Sequence, residues 1–298
     1  SLLGTWYGTF IFSVKEREVF AVPLPKKDIN GMELSKLFSL HHIIRKEWIN
    51  KDIPTQAIPL VLLDRIPSST EILERFDLFV SILSRQQGYH VESLSIMSLE
   101  PFIDFIKYSP YNVASIDIML NKNAFTSLSS LSNLLISKNS MEITKFARGY
   151  SKETSTNDFV KLLYRETACY LLREIGMIKN EIIENEAIES VARTLRYFIR
   201  EKKYHYADNI RNARKDSKDF ENTIVKMLRE AELRRVQEEK KKTNKEYKFV
   251  NIPSEKEIKE LFQLANKDFD GVKTALVMLA FSFPTRKEEV NELEGVEE

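Results

Sequence analysis

The chain of 298 residues has one cysteine, four histidines, eight glycines, nine prolines and two tryptophans. With Cys169 alone there can be no intrachain disulfide and no thiolate metal cluster, and a reducing, intracellular setting is expected. Cys169 lies in ETACYLL among apolar residues, which favours core packing over a nucleophile's role. Adjacent His41 and His42 point to different sides of a helix, and around the four histidines, His90 and His205 included, no Cys, Asp or second His lies at a spacing that would complete a zinc set. GxxxxGK[ST], GxGxxG and GxSxG are all missing, which removes the phosphate-loop, dinucleotide and hydrolase-elbow readings. No metal, no cofactor and no enzymatic activity are expected. No apolar run approaches the roughly 20 residues of a membrane span, and SLLGTWYGTFIF lacks the basic start and cleavage site of a signal peptide, so a cytoplasmic protein without membrane contact is expected. Scarce Gly and Pro beside ordinary apolar content point to a helix-rich globular fold.

The first part reads as α+β. Residues 5–13 (TWYGTFIFS) and 18–24 (EVFAVPL) are aromatic and β-branched and predict an antiparallel hairpin. Asn30-Gly31 turns the chain into a helix over 32–48. IPLVLL at 58–63 predicts a buried strand, and Ser68 to Glu71 is a capping box opening a helix to about Gln87. A strand over 89–97 would complete a strand, helix, strand crossover with parallel pairing. In that geometry Asp64 ends a strand, where α/β enzymes often place a catalytic acid; a carboxylate arriving there by chance is the plainer reading.

Beyond Pro101, which is set to open a short helix ended by Pro110, strand signals fade. Residues 114–138 predict one helix. The small polar residues of GYSKETSTN at 149–157 predict a linker, dividing the chain into an α+β domain, 1–150, and a helical bundle with an acidic tail, 151–298. Residues 158–175 predict a buried helix broken near Gly176. Ile188, Val191, Ala192, Leu195 and Ile199 share one helical face, as do Phe220, Ile224, Met227, Leu228 and Ala231. A second capping box, Ser254 to Glu257, opens a helix, and VKTALVMLAF supplies a nearly all-apolar one.

Charge is segregated along this chain. Residues 193–242 hold sixteen Lys/Arg against nine Asp/Glu, about +7, on a chain of net charge +1. A helix burying Val191, Leu195 and Ile199 is expected to leave Arg193, Arg196, Arg200 and Lys203 on its exposed sides, with Lys202 beside them. Tyr197, Tyr204, His205 and Tyr206 are interleaved, and Arg211, Arg214 and Lys215 extend the patch. Cations neutralise phosphates and aromatic faces stack on unpaired bases, so 193–215 is the expected nucleic-acid surface. From Arg229 onward Glu alternates with Arg and Lys as on a solvated, salt-bridged helix. The alternative is a scaffold whose basic helix docks on an acidic protein partner.

The stretch TLRYFIREKKYHYADNIRNARKDSKDFENTIVKMLREAE, followed by an apolar helix ending AFSFPTRKEE, resembles the helical parts of subunits of archaeal type I CRISPR surveillance complexes. The likeness covers about 130 residues; it is of the large-subunit type, whose C-terminal part is similar to the small subunit. The Cys-pair zinc motifs of some members are missing. The resemblance implies a non-catalytic RNA- or DNA-binding subunit of an antiviral ribonucleoprotein, with other subunits as partners and backbone contacts falling on 193–215.

Overall fold

The computed structural model describes residues 10–14, 17–44, 54–65, 70–84, 90–154, 158–215, 218–239 and 250–282. The chain divides into two compact units, 1–137 and 138–298.

The first unit contains a four-stranded sheet, β1 (Phe10–Val14), β2 (Arg17–Pro25), β3 (Phe76–Ser84) and β4 (His90–Ser98), in that spatial order and antiparallel throughout. The expected hairpin is present, with Phe12 opposite Val19. Alternation gives one covered face: Val19 and Ala21 on β2, and Phe76, Leu78, Val80 and Ile82 on β3, are buried. The helix α1 (Gly31–Ile44) follows Asn30, whose side chain accepts from Glu33 N–H at 3.0 Å while the Glu33 carboxylate accepts from Asn30 N–H at 2.9 Å.

Two expectations fail between β2 and β4. IPLVLL is helical, α2 (Ile58–Arg65), entered through a 3-10 turn at Thr55–Ala57. Pro59 is harmless in a first helical turn, and Ile58, Leu60, Val61, Leu62 and Leu63 are all buried, so burial on every side had erased the periodicity that separates helix from strand. Asp64 therefore sits on a helix, half-buried, and the parallel crossover that would have made it a strand-end acid does not exist. The capping box at 68–71 falls partly outside the described residues. Among the described residues a single helical turn, α3 (Thr70–Leu73), lies between α2 and β3, and β3 runs over residues 76–84 where a helix to about Gln87 was expected.

Past β4 come α4 (Glu100–Tyr108), α5 (Pro110–Asn121) and α6 (Phe125–Ser137), packed on one another, with α4 and α5 also on α2 and α6 on the 3-10 turn before it. Ser109 caps α5, accepting from Tyr111 N–H at 3.3 Å, and buried Asn112 donates from Nδ2 to the Phe105 carbonyl at 2.7 Å. The single helix expected over 114–138 is two, because Asn123 takes a left-handed conformation at φ 55°. The Ala124 N–H then closes on the Met119 carbonyl at 2.8 Å and ends α5.

The second unit is a helical bundle: α7 (Ile143–Thr154), α8 (Asp158–Tyr170) extended by a π turn at Leu171–Ile175, α9 (Asn180–Ile183), α10 (Glu186–Arg200), α11 (His205–Asn212), α12 (Asp219–Glu239), α13 (Glu255–Lys267) and α14 (Phe269–Ser282). The linker expected at 149–157 is corrected through Thr154, where the chain is helical. Buried Phe146, Ala147 and Tyr150 give α7 a core face that outweighs its small polar residues. Residues 155–157 lie outside the described residues, as does the acidic tail. The division falls instead after Ser137, at Lys138, another left-handed residue.

Nearly all-apolar α14 is the hub, touching α7, α8, α10, α11 and α13. Tyr164 of α8 stacks on Tyr150 at 5.0 Å, and its hydroxyl donates to the Met278 carbonyl at 3.4 Å. Burial drives its pKa well above the ordinary phenolic value. The capping box at the start of α13 is complete: Glu257 N–H donates to Ser254 Oγ at 3.3 Å, and Ser254 N–H donates to Glu257 Oε2 at 2.6 Å. Ser254→Ala is expected to cost about 0.5–2 kcal/mol, readable as a lower urea midpoint.

Candidate nucleic-acid interface

The expected surface is built on α10, α11 and the two loops around α11. Asn185 caps α10, its side-chain oxygen accepting from Ala187 N–H at 2.9 Å and Ile188 N–H at 3.3 Å. Along its length Thr194 Oγ1 donates to the Asn251 carbonyl at 2.9 Å, and Asn251 Nδ2 donates to the Ser190 carbonyl at 2.8 Å. With α14, α13, α11 and α12 around it, α10 has little outer side left.

This overturns part of the expected patch. Arg196 is only 7% exposed and Tyr197 only 3%. The sequence shows one apolar stripe on α10, but its neighbours cover more than that stripe, and long side chains offset from it are enclosed as well. Burial raises the Tyr197 hydroxyl to about 12, and its ring lies edge-on to Phe198 at 5.3 Å. Neither residue can meet a ligand from solvent. Tyr206 is buried too. Tyr204 is half-buried with the Arg148 guanidinium 5.2 Å from its ring centre, so one of its faces is already covered. Of the four interleaved rings, Tyr197 and Tyr206 are thus withdrawn from base stacking, while half-buried Tyr204 and exposed His205 remain at the surface.

The remaining charges are sorted. Arg193 Nη2 meets Glu189 Oε1 at 3.0 Å. Arg148 Nη1 reaches both Asp208 oxygens, at 2.8 and 3.2 Å. Glu230 on α12 accepts from Lys203, from Tyr206 Oη at 2.7 Å and from Arg234 at 3.4 Å. Glu189, Asp208 and Glu230 are thus engaged by side chains of the bundle, while Lys202, Arg214 and Lys215 are exposed and Arg200 and Arg211 half-exposed.

The two loops carrying the exposed cations are each tied back to the bundle by hydrogen bonds. After α10, Lys202 adopts φ 60°, and the Lys202 and Lys203 N–H groups close on the Ile199 and Phe198 carbonyls at 3.0 and 2.9 Å. This is the helix stop that glycine usually serves. After α11, Ala213 is buried and its carbonyl accepts from Lys273 Nζ at 3.3 Å, so the chain is pinned just before Arg214 and Lys215 turn outward. The eight residues of α11 separate the loops by about 12 Å.

A feature that sequence reasoning missed is an open groove of about 720 Å³ along α13, lined by Lys256, Lys259 and Lys267 with Gln263, Glu255 and Glu260. The signal was available: lysines 3 and 11 residues apart on a helix whose start the capping box had located. Cys169 is half-buried and burial pushes its thiol up, away from thiolate character. Among the described residues no His, Cys, Asp and Glu cluster could hold a metal ion, and no helix is long and apolar enough to cross a membrane. No family model, curated protein or solved structure matches the chain.

Proposed function

We propose that the chain is a non-catalytic subunit that grips nucleic-acid backbone through the two loops flanking α11, within a ribonucleoprotein effector of the CRISPR interference kind and beside other protein subunits. The carrying observation is the exposure of Lys202, Arg214 and Lys215 on the loops at the two ends of α11, where Asp208 is held by Arg148 and Glu230 by Lys203 and Arg234. Exposed cations on two loops at opposite ends of a helix about 12 Å long suit phosphates and carry no base readout, so contact independent of sequence is the reading they support.

The test is a titration of labelled single- and double-stranded RNA and DNA at several salt concentrations. Replacing Lys202 with Gly, which keeps the left-handed turn, together with Arg214→Ala and Lys215→Ala, is expected to lower affinity at least about tenfold. It should also flatten the log K against log salt slope by about 2–3, near 0.7–0.9 per lost phosphate contact. Unchanged affinity and slope overturn the reading.

A second reading, docking on an acidic protein, is favoured by α12. Its outer face exposes Val225, Leu233 and Val236 among exposed Lys226, Arg229 and Arg235. Partners that copurify from the native source and survive nuclease treatment, with no salt-sensitive nucleic-acid affinity, would select it.

A further inference from the structure

We infer, resting on the backbone-binding reading above, that the outer side of α13 is a second row of nucleic-acid backbone contacts. It takes a strand on from the Arg214 and Lys215 loop along Lys267, Lys259 and Lys256. α13 buries Leu261 and Ala265 on one side. Along another, Lys256, Lys259, Gln263 and Lys267 are exposed at intervals of three, four and four residues, and with half-buried Leu264 they line the open groove. The helical rise puts about 16 Å between the first lysine and the last.

A solvated helix side is commonly laced by its own ion pairs four residues apart, and the spacing for that exists on α13: Glu255 precedes Lys259, and Lys256 precedes Glu260. Neither pair closes. Among the described residues Lys256, Lys259 and Lys267 take part in no ion pair. Glu260 turns instead to the start of α10, where it accepts from Asn185 Nδ2 at 2.7 Å. Three ammonium groups and the Gln263 amide thus share the groove, with Glu255 at one end. Lys and Gln both donate to phosphate oxygens, whereas an apolar partner would find only Leu264 to cover. Cations in a row along one helix side match a ligand whose charges repeat along a line, as those of a phosphate backbone do.

The row joins the loop after α11 through the corner between α13 and α14. Lys267 is the last residue of α13. Phe269, two residues on, packs edge-on against Phe220 at 5.4 Å, and Phe262 does so at 6.3 Å. Lys273 Nζ donates to the Ala213 carbonyl at 3.3 Å. The corner is therefore fastened at Ala213 and at Phe220, on either side of Arg214 and Lys215. Its own acids are engaged: Asp268 Oδ1 accepts from Gly271 N–H at 2.9 Å, and Asp270 is paired with Lys273 at 2.7 Å. A strand leaving Arg214 and Lys215 in this direction meets Lys267 next, and the groove leads it on to Lys259 and Lys256.

The full chain carrying Lys256→Gln, Lys259→Gln and Lys267→Gln tests this in the same titration of labelled single- and double-stranded RNA and DNA. Affinity is expected to fall at least about tenfold and the log K against log salt slope to flatten by about 2–3, with the far-UV circular dichroism unchanged. Combined with the loop substitutions at Lys202, Arg214 and Lys215, the two losses of slope should add. Bound nucleic acid should also protect Lys256, Lys259 and Lys267 from acetylation, read by mass spectrometry. Lys226→Gln, Arg229→Gln and Arg235→Gln, which remove as much charge from the outer face of α12, should change neither affinity nor slope. If the loop variant loses affinity and the α13 variant does not, the inference is overturned while the backbone-binding reading stands; if neither loses it, the reading falls first. An α12 variant that loses as much as the α13 variant overturns the inference, as does a groove whose lysines are protected by polyglutamate and not by nucleic acid.

Discussion

Replacing Phe198 with alanine is expected to lower the unfolding free energy by about 3–5 kcal/mol, among the largest single-residue effects in the second unit. Phe198 is fully buried near the end of α10. Its ring is 4.8 Å from Tyr206 on α11 and 5.3 Å from Tyr197, and Lys203 Nζ lies 5.9 Å from its centre. Its carbonyl closes the turn at Lys203. One side chain thus joins α10 to α11 and supports the loop that presents Lys202. Alanine leaves a cavity that cannot collapse, because backbone hydrogen bonds fix the turn. Urea unfolding should show the loss as a lower midpoint at unchanged m, and Phe198→Leu should retain most of the stability. A loss below about 1 kcal/mol would mean that the site relaxes and the joint lies elsewhere.

The second large effect is at Glu230. Burial alone would push its carboxyl up, but donation by Lys203, Tyr206 and Arg234 outweighs it and holds the carboxyl below the ordinary range. A group depressed in the folded state contributes stability that is complete above its unfolded pKa, about 4.3 for Glu, and is lost as pH falls through the folded pKa. The native protein should therefore lose stability on acidification below about pH 4.3 in part through Glu230. Glu230→Gln should cost about 1.5–3 kcal/mol near neutrality, the range for hydrogen bonds to a charged group, and the gap between the two proteins should narrow toward acid. Denaturation at several pH values reads it directly, and a gap constant with pH would show that the charge of Glu230 is immaterial. Tyr206 gives a second readout: burial first, then its bond to Glu230, raises its hydroxyl to about 12, and spectrophotometric titration of the variant should find it lower.

What the sequence made legible was local. The β1–β2 hairpin, the strand at β4, the α13 capping box and the stripes of α10 and α12 follow from alternation, helical spacing and caps that need no distant partner. The α+β plan with a helical C-terminal part was legible for the same reason. IPLVLL was not, since a run buried all round has no period. The strand at β3 was hidden because Ser68 to Glu71 reads as the start of a long helix, where the described chain has the single turn Thr70–Leu73. With eight glycines in the chain, helix stops fall to Asn123, Lys138 and Lys202, whose left-handed backbone no glycine announces. The candidate surface failed where it depended on distant neighbours: Arg196 and Tyr197 are enclosed because helices far along the chain pack around α10, whereas Lys202, Arg214 and Lys215 stand outside that packing.

The strand order carries a consequence for folding. Within the sheet, β1 pairs with β2 and β3 with β4 across gaps of two and five residues, but β2 meets β3 only after residues 26–75 have been spanned. Closing a loop some ten times longer costs about 2 kcal/mol more in chain entropy. The sheet is therefore two quick hairpins and one slow seam. The seam, where Phe20 meets Ser81 and Val22 meets Phe79, is the non-local contact that sets the pace at which this half of the molecule becomes native.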